Sequence, residues 1–221
     1  MAGRSSPDRL TPLAGKLFFT TEDRTHGEEL WKSDGTRAGT SLVRDISPGS
    51  AGSDPVGLRS GLGRLFFRAR DPIHGRELWK SNGSRRGTVL VKDINPGSAG
   101  SVPFDLQRVG SRFLFGADDG THGGGLWKSD ATRSGTKPVR AELCCPHQLT
   151  NVSGRLFFLA GSYRCNGHGG CAGLWKSDGT NAGTRFVKGL EEPYDLINIR
   201  GTLLFAAFDR VHGTELWKAV P

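Results

Sequence analysis

The sequence predicts an all-β chain: a five-bladed β-propeller with one four-stranded sheet for each repeat of about 48 residues. Three observations predict it. First, ELWKSDGT at Glu29–Thr36 returns as ELWKSNGS at Glu77–Ser84, GLWKSDAT at Gly125–Thr132, GLWKSDGT at Gly173–Thr180 and a shortened ELWKA at Glu215–Ala219. Second, strand-length runs alternate with Gly, Pro, Asn and Asp, and no 3.6-residue apolar period occurs. Third, each period holds four such runs, which is the content of a propeller blade.

The first strand of a repeat is short, as in DLQRVG (Asp105–Gly110) or DLINIRG (Asp195–Gly201), and ends in a tight glycine turn. The second carries phenylalanine: KLFFTT, RLFFRA, RFLFGA, RLFFLA and TLLFAA. The third holds Trp31, Trp79, Trp127, Trp175 and Trp217, spaced by 48, 48, 48 and 42 residues. The fourth reads SLVRDI, VLVKDI, KPVRAEL or RFVKGL. Adjoining apolar residues such as Leu17-Phe18-Phe19 mark strands covered on both faces, each blade packing on its neighbours. Burying a large apolar side chain is worth about 1.5–3 kcal/mol, so the tryptophans read as blade-to-blade packing ahead of a ligand-stacking ring.

Asp34-Gly35, Asn82-Gly83 and Asp178-Gly179 supply the turn between third and fourth strands, and Gly39, Gly87, Gly135 and Gly183 precede the restart. Ala131 departs from the pattern and predicts a different turn. The repeats lie near 7–54, 55–102, 103–145, 146–192 and 193–221 of a single domain, 1–221. The last lacks a fourth strand. Residues 1–8, polar and containing Pro7, are poor material to supply it, so an open edge and oligomerisation through it are expected.

A net charge of +8 favours anionic partners, yet the basic residues are dispersed, with much of the excess in the lysine after each Trp. These lysines read as a solubilising surface. No run is long enough to span a bilayer, and the N-terminus has no apolar signal segment.

The eight-letter core, with His-Gly upstream and Gly-Thr downstream, resembles the ELWxxDGT-repeat proteins of bacteria over almost everything from Leu13 to Lys218. The resemblance implies a propeller-like β-fold and, together with the cysteines, a secreted or cell-surface location; without a signal segment a cytoplasmic one stays open. It implies no activity. The chain departs from the pattern at Asn82, Gly125, Ala131 and Gly173.

Candidate sites gather in the loops between second and third strands. Asp-x-x-His-Gly occurs at Asp23/His26, Asp71/His74, Asp119/His122 and Asp209/His212, with Cys165 taking the Asp place before His168. These residues form a candidate ring for a polyol, anion or metal. The competing reading is that Asp and His brace each hairpin through backbone hydrogen bonds. Repeat four diverges: ten residues separate Phe158 from His168 where the others use seven, and six separate Leu143 from Leu149 where Ile46 to Leu58 spans twelve. Cys144, Cys145, Cys165 and Cys171 all lie there and read as two disulfides. Cys165–Cys171 would clip the enlarged loop, and cross-pairing with the short CCPHQ loop is equally open because a Cys144–Cys145 bond would be strained. Free thiols are the second reading. A zinc cluster of Cys144, Cys145, His147, Cys165, His168 and Cys171 is the lesser reading, since its spacing fits no common finger. DISPGSAGSDP (Asp45–Pro55) and DINPGSAGSVP (Asp93–Pro103) offer too few carboxylates for calcium and read as plain connections.

No GxSxG, HExxH or phosphate-cradling loop is present, and no cofactor is implied. The sequence therefore favours a non-catalytic binding scaffold, lectin-like or protein-recognising, acting through one loop face and binding a glycan or protein ligand. The alternatives are a metal-dependent hydrolase, lyase or glycosidase on the same scaffold, and charge-driven binding of an acidic polymer.

Overall fold

The computed structural model describes residues 6–141, 143–162 and 173–219, and every helix-or-strand element among them is a β-strand. None of the described residues forms a helix long and apolar enough to cross a membrane. Five antiparallel sheets follow one another along the chain. The first joins β1 (Asp8–Leu13), β2 (Lys16–Asp23), β3 (Gly27–Ser33) and β4 (Ser41–Arg44). The second joins β5 (Val56–Gly61), β6 (Arg64–Asp71), β7 (Gly75–Ser81) and β8 (Val89–Lys92). The third joins β9 (Phe104–Val109), β10 (Arg112–Asp118), β11 (Gly124–Ser129) and β12 (Lys137–Arg140). The fourth joins β13 (Leu143–Val152), β14 (Arg155–Ser162), β15 (Gly173–Ser177) and β16 (Arg185–Gly189). The fifth has three strands, β17 (Glu191–Ile199), β18 (Thr202–Asp209) and β19 (Gly213–Ala219), as the truncated last repeat predicts.

The register repeats with the sequence. Phe19 faces Trp31, Phe67 faces Trp79, Phe115 faces Trp127, Phe158 faces Trp175 and Phe205 faces Trp217. Third and fourth strands pair with a shift immediately before the Trp, at Leu30/Trp31 and its three counterparts. The first strands contain a left-handed residue at Arg9, Gly57, Asp105, Gln148 and Asp195, and at Arg9, Gly57, Gln148 and Asp195 it falls within a register shift.

The chain divides into two compact units, the first reaching Phe104 and including Ala131–Arg133, the second holding the remainder. In the first, Phe18, Leu30, Val43 and Ile46 pack with Leu58, Leu65, Phe67 and Trp79 of the next sheet. In the second, Leu114, Leu126 and Val139 meet Leu143, Leu156 and Phe158, while Phe157, Leu159 and Leu174 meet Leu196, Leu203 and Phe205. Each core is thus shared by two successive sheets. This is why apolar residues adjoin in the second strands: both faces of those strands are buried.

The SDGT motif is a turn held by its own side chains. Asp34 Oδ1 accepts from the Thr36 N–H at 3.0 Å and the Thr36 hydroxyl at 2.7 Å, and Ser33 Oγ accepts from the Gly35 N–H at 3.0 Å. These bonds hold the Asp34 and Asp178 carboxyls below the ordinary carboxylate range. The Asp34 side chain lies where a Cβ on Gly39 would stand, and Asn82, Asp130 and Asp178 overlap in the same way with Gly87, Gly135 and Gly183. The downstream glycine of the motif is therefore sterically required.

At Ala131 the expected different turn is not found. Ala131 adopts φ 76, beside φ 92 at Gly35 and φ 84 at both Gly83 and Gly179. The turn is kept, with a Cβ where glycine is free of strain.

Candidate functional site

The Asp-x-x-His-Gly loops fold as one motif in the four sheets where their residues are described. Asp23 Oδ1 accepts the backbone N–H groups of Thr25 and His26 at 2.7 and 2.8 Å, while Oδ2 meets His26 Nδ1 at 2.8 Å. Asp71 treats Ile73 and His74 alike, with His74 Nδ1 at 2.7 Å. Asp119 does so with Thr121 and His122, Nδ1 at 2.9 Å, and Asp209 with Val211 and His212, Nδ1 at 3.3 Å. The bond from His26 lowers the Asp23 carboxyl and raises the His26 imidazole. At Asp71 and Asp119 burial pushes upward, but the donated N–H groups outweigh it. At Asp209 the backbone N–H groups of His212 and Val211 pull the carboxyl down. Both carboxylate oxygens are engaged within the hairpin, which is the bracing role. Cys165, His168 and Cys171 lie outside the described residues.

Sequence reasoning overlooked the glutamate that opens ELW. Glu29 and Glu77 are fully buried. Glu29 Oε1 accepts the N–H groups of Ile46 and Ser47 at 3.1 and 3.0 Å, and Oε2 accepts the Ser53 hydroxyl at 2.6 Å. Glu77 accepts from Asn95 N, Ser101 N and Ser101 Oγ at 3.0, 2.9 and 2.5 Å. Burial pushes both carboxyls upward, opposed by these donors. The two Pro-Gly-Ser-Ala-Gly-Ser segments are thus connections wrapped on a buried carboxylate. Ser53 and Asp54 N–H groups add bonds to the Glu28 carbonyl at 3.0 and 3.1 Å, and Val102 N–H reaches the Arg76 carbonyl at 2.9 Å. Gly27 sits so close to the connection that a Cβ would stand 2.5 Å from Gly52 N and Ser50 O.

Gly125 and Gly173 replace this glutamate where the connection is short. A Cβ on Gly125 would lie 3.0 Å from Ala141 Cα, and one on Gly173 would lie 2.5 Å from the Phe186 ring. The following segment fills the glutamate's place. The rule is readable in sequence: Glu accompanies Pro-Gly-Ser-Ala-Gly-Ser, and Gly accompanies its loss.

Glu215 stands at the same place in the fifth sheet. It is exposed, and β19 pairs only with β18 among the described residues. The adjoining Leu216 is 74% exposed, whereas its counterparts Leu30, Leu78 and Leu126 are 0% and Leu174 is 1% exposed. Ligand atoms of Asp209, His212 and Glu215 lie within 4.8 Å of one another.

The tryptophans pack as expected in part. Trp79 and Trp127 are buried, and Trp31, Trp175 and Trp217 are half-buried. Arg44 lies 5.7 Å from the Trp79 ring centroid, Arg140 5.4 Å from that of Trp175, and Lys188 3.9 Å from that of Trp217. The lysines after Trp are not simply a solubilising surface. Lys32, Lys80 and Lys128 donate to the turn carbonyls of Gly83, Ala131 and Gly179, one repeat onward, at 2.6, 2.6 and 2.7 Å.

Two expectations for repeat four need correction. CCPH is not a loop: Cys144, Cys145 and His147 lie in β13, because without the long connection the chain runs directly into pairing with β14. A disulfide at Cys144 or Cys145 is not formed, and the expected Cys165–Cys171 pair lies outside the described residues. Cys144 and Cys145 are free thiols with sulfurs 3.4 Å apart, beyond bonding distance.

No family model and no curated protein matches the chain. Solved structures do. A crystal structure of puromycin hydrolase superposes at TM-score 0.64 with 15% identity, covering 99% of this chain and 36% of its own. Oligopeptidase B from Leishmania major gives 0.60 and 13%, covering 98% and 32%. A Mycobacterium tuberculosis puromycin-hydrolyzing peptidase gives 0.58 and 10%, covering 99% and 39%. The chain therefore spans less than two fifths of each. At such identities the likeness is one of fold alone, and that fold is all-β and propeller-like.

Proposed function

We propose that the five sheets are blades of a β-propeller serving as a non-catalytic binding scaffold, and that it recognises protein by strand addition on β19. The observation that carries this reading is the exposed edge of β19: Leu216 and Glu215 are exposed, and among the described residues β19 pairs only with β18. An unpaired edge offers a ladder of N–H and C=O groups to an incoming strand. The first two sheets supply the template. There β3 and β7 pair with SLVR and VLVK, and the glutamate receives the connection that follows. The preferred occupant is thus an extended apolar-basic segment followed by a Gly- and Ser-rich turn rich in N–H and hydroxyl donors.

Carbohydrate recognition through the loop face has less support, because the Asp carboxylates of four loops are engaged in bracing. Metal-assisted hydrolysis rests on the Asp209, His212 and Glu215 grouping alone. Loss of metal-dependent ester hydrolysis in a Glu215→Ala variant would favour it.

The test is binding of a synthetic peptide spanning residues 41–55 (SLVRDISPGSAGSDP) to the full chain, against a scrambled control. The expected result is saturable binding to the native order only, weakened about tenfold or more by Glu215→Ala, the loss for an acceptor facing several donors. Equal binding of both peptides, or none, would overturn the reading.

A further inference from the structure

Cys144 and Cys145 are neighbours on a strand, where successive side chains ordinarily point to opposite faces. Their sulfurs nevertheless stand 3.4 Å apart. The cause lies in the backbone. Cys145 takes φ 52, in the left-handed region, and the pairing of β13 with β14 shifts register between Cys144 and His147. This kink belongs to the scaffold and not to cysteine. Asp54 at φ 48 and Val102 at φ 46 show the same conformation, each three residues before a left-handed Gly57 or Asp105, as Cys145 precedes Gln148. Of these three kinks, only the one in repeat four carries two adjacent thiols, and there their sulfurs meet.

Both thiols are reachable: Cys144 is half-buried and Cys145 is exposed. Their separation is also suited to one ligand geometry. A covalent disulfide requires about 2.05 Å between sulfurs. Two thiolates on one tetrahedral centre, each about 2.3 Å from the metal, stand about 3.7 Å apart. The pair rests within a few tenths of an ångström of the second arrangement, so the protein has already met much of the cost of bringing two donors together. The His147 Nδ1 is engaged with the Cys145 carbonyl at 2.9 Å, which ties the imidazole down beside the pair.

We propose that Cys144 and Cys145 form a chelating dithiol site for thiophilic metal cations such as Cd²⁺ or Zn²⁺. Binding forms two metal–sulfur bonds and releases two thiol protons to solvent. No electrons are transferred, so no oxidant is needed. The two thiols act as one bidentate unit, and its advantage over a single thiol is the effective concentration of the second donor, about 10²–10⁴-fold.

The experiment is a Cd²⁺ titration of the reduced full chain, followed through the sulfur-to-metal charge-transfer absorbance. It is run on wild type and on Cys165→Ser/Cys171→Ser, which leaves Cys144 and Cys145 as the only thiols. The expected result is one ion per chain in the double variant. Affinity should then fall about a hundredfold or more when Cys144→Ser or Cys145→Ser is added, with circular dichroism confirming that the sheets persist. Binding seen in wild type but lost in the double variant would overturn the proposal, since it would assign the ion to the other cysteines. So would affinity that stays within about threefold after either further serine substitution.

Discussion

The first two sheets and the fifth begin from the same letters and end in different states. Glu29 and Glu77 are buried, each carboxylate surrounded by donors from the connection that follows. Glu215, at the same place in its sheet, is exposed beside an exposed Leu216. The side chains are chemically identical; what differs is the segment that reaches them. A buried carboxylate is tolerated only because its donors replace water. The motif thus has two jobs, a turn that the first four copies complete and a lock seen where a Pro-Gly-Ser-Ala-Gly-Ser segment follows.

The largest test of this difference is steric. Gly27→Ala places a methyl group against Gly52 and Ser50 at a left-handed position, and is expected to cost about 3–5 kcal/mol in chemical denaturation. Gly213→Ala, at φ 79 with nothing within 4 Å, should cost only its conformational strain, about 1–2 kcal/mol. Equal losses would show that the connection does not press on the first hairpin.

Next in size is the tie between repeats. Lys80→Met removes the ammonium that meets the Ala131 carbonyl and is expected to lower stability by about 1–2 kcal/mol. A smaller gain should come from Ala131→Gly, which relieves the strain at φ 76 and raises stability by about 1 kcal/mol, read as a higher denaturation midpoint. No gain would mean that the methyl group's contacts offset the strain.

The smallest effect is in pH. Burial holds the Glu29 and Glu77 carboxyls above the ordinary 4.5, so the folded chain keeps protons that the unfolded chain has released. Stability from these groups is therefore greatest below about 4.5 and declines as pH rises through the folded values. The gap between wild type and Glu77→Ala should narrow over that range when both are denatured across a pH series. A gap that widens would reverse the sign.

Much of the fold was legible because the repeat copies its physics. The five Phe–Trp pairings, the turn residues and the missing fourth strand of the last sheet all follow from periodic residues whose spacing sets strand and register. What escaped was pairwise. That Lys32 reaches Gly83 depends on how one repeat meets the next, and a lysine on an alternating strand reads as solvated. The buried role of Glu29 was hidden for a related reason: a carboxylate in a strand looks exposed until its distant donors are known. The contrast between Glu29 and Gly125 was visible as divergence, but its meaning lay in the length of a segment after the fourth strand. At Ala131 local propensity pointed to a new turn, while the surrounding Ser129–Thr136 hydroxyl pair at 2.7 Å, common to the other copies, accompanies the old one.

The central claim is that the buried glutamate is a lock and the exposed one is not. Urea denaturation of Glu77→Ala beside Glu215→Ala measures this directly. Removing Glu77 should leave its donors on Asn95 and Ser101 without an acceptor and cost about 3–5 kcal/mol, while removing Glu215 should change stability by no more than about 0.5 kcal/mol. Similar losses for the two variants would contradict it.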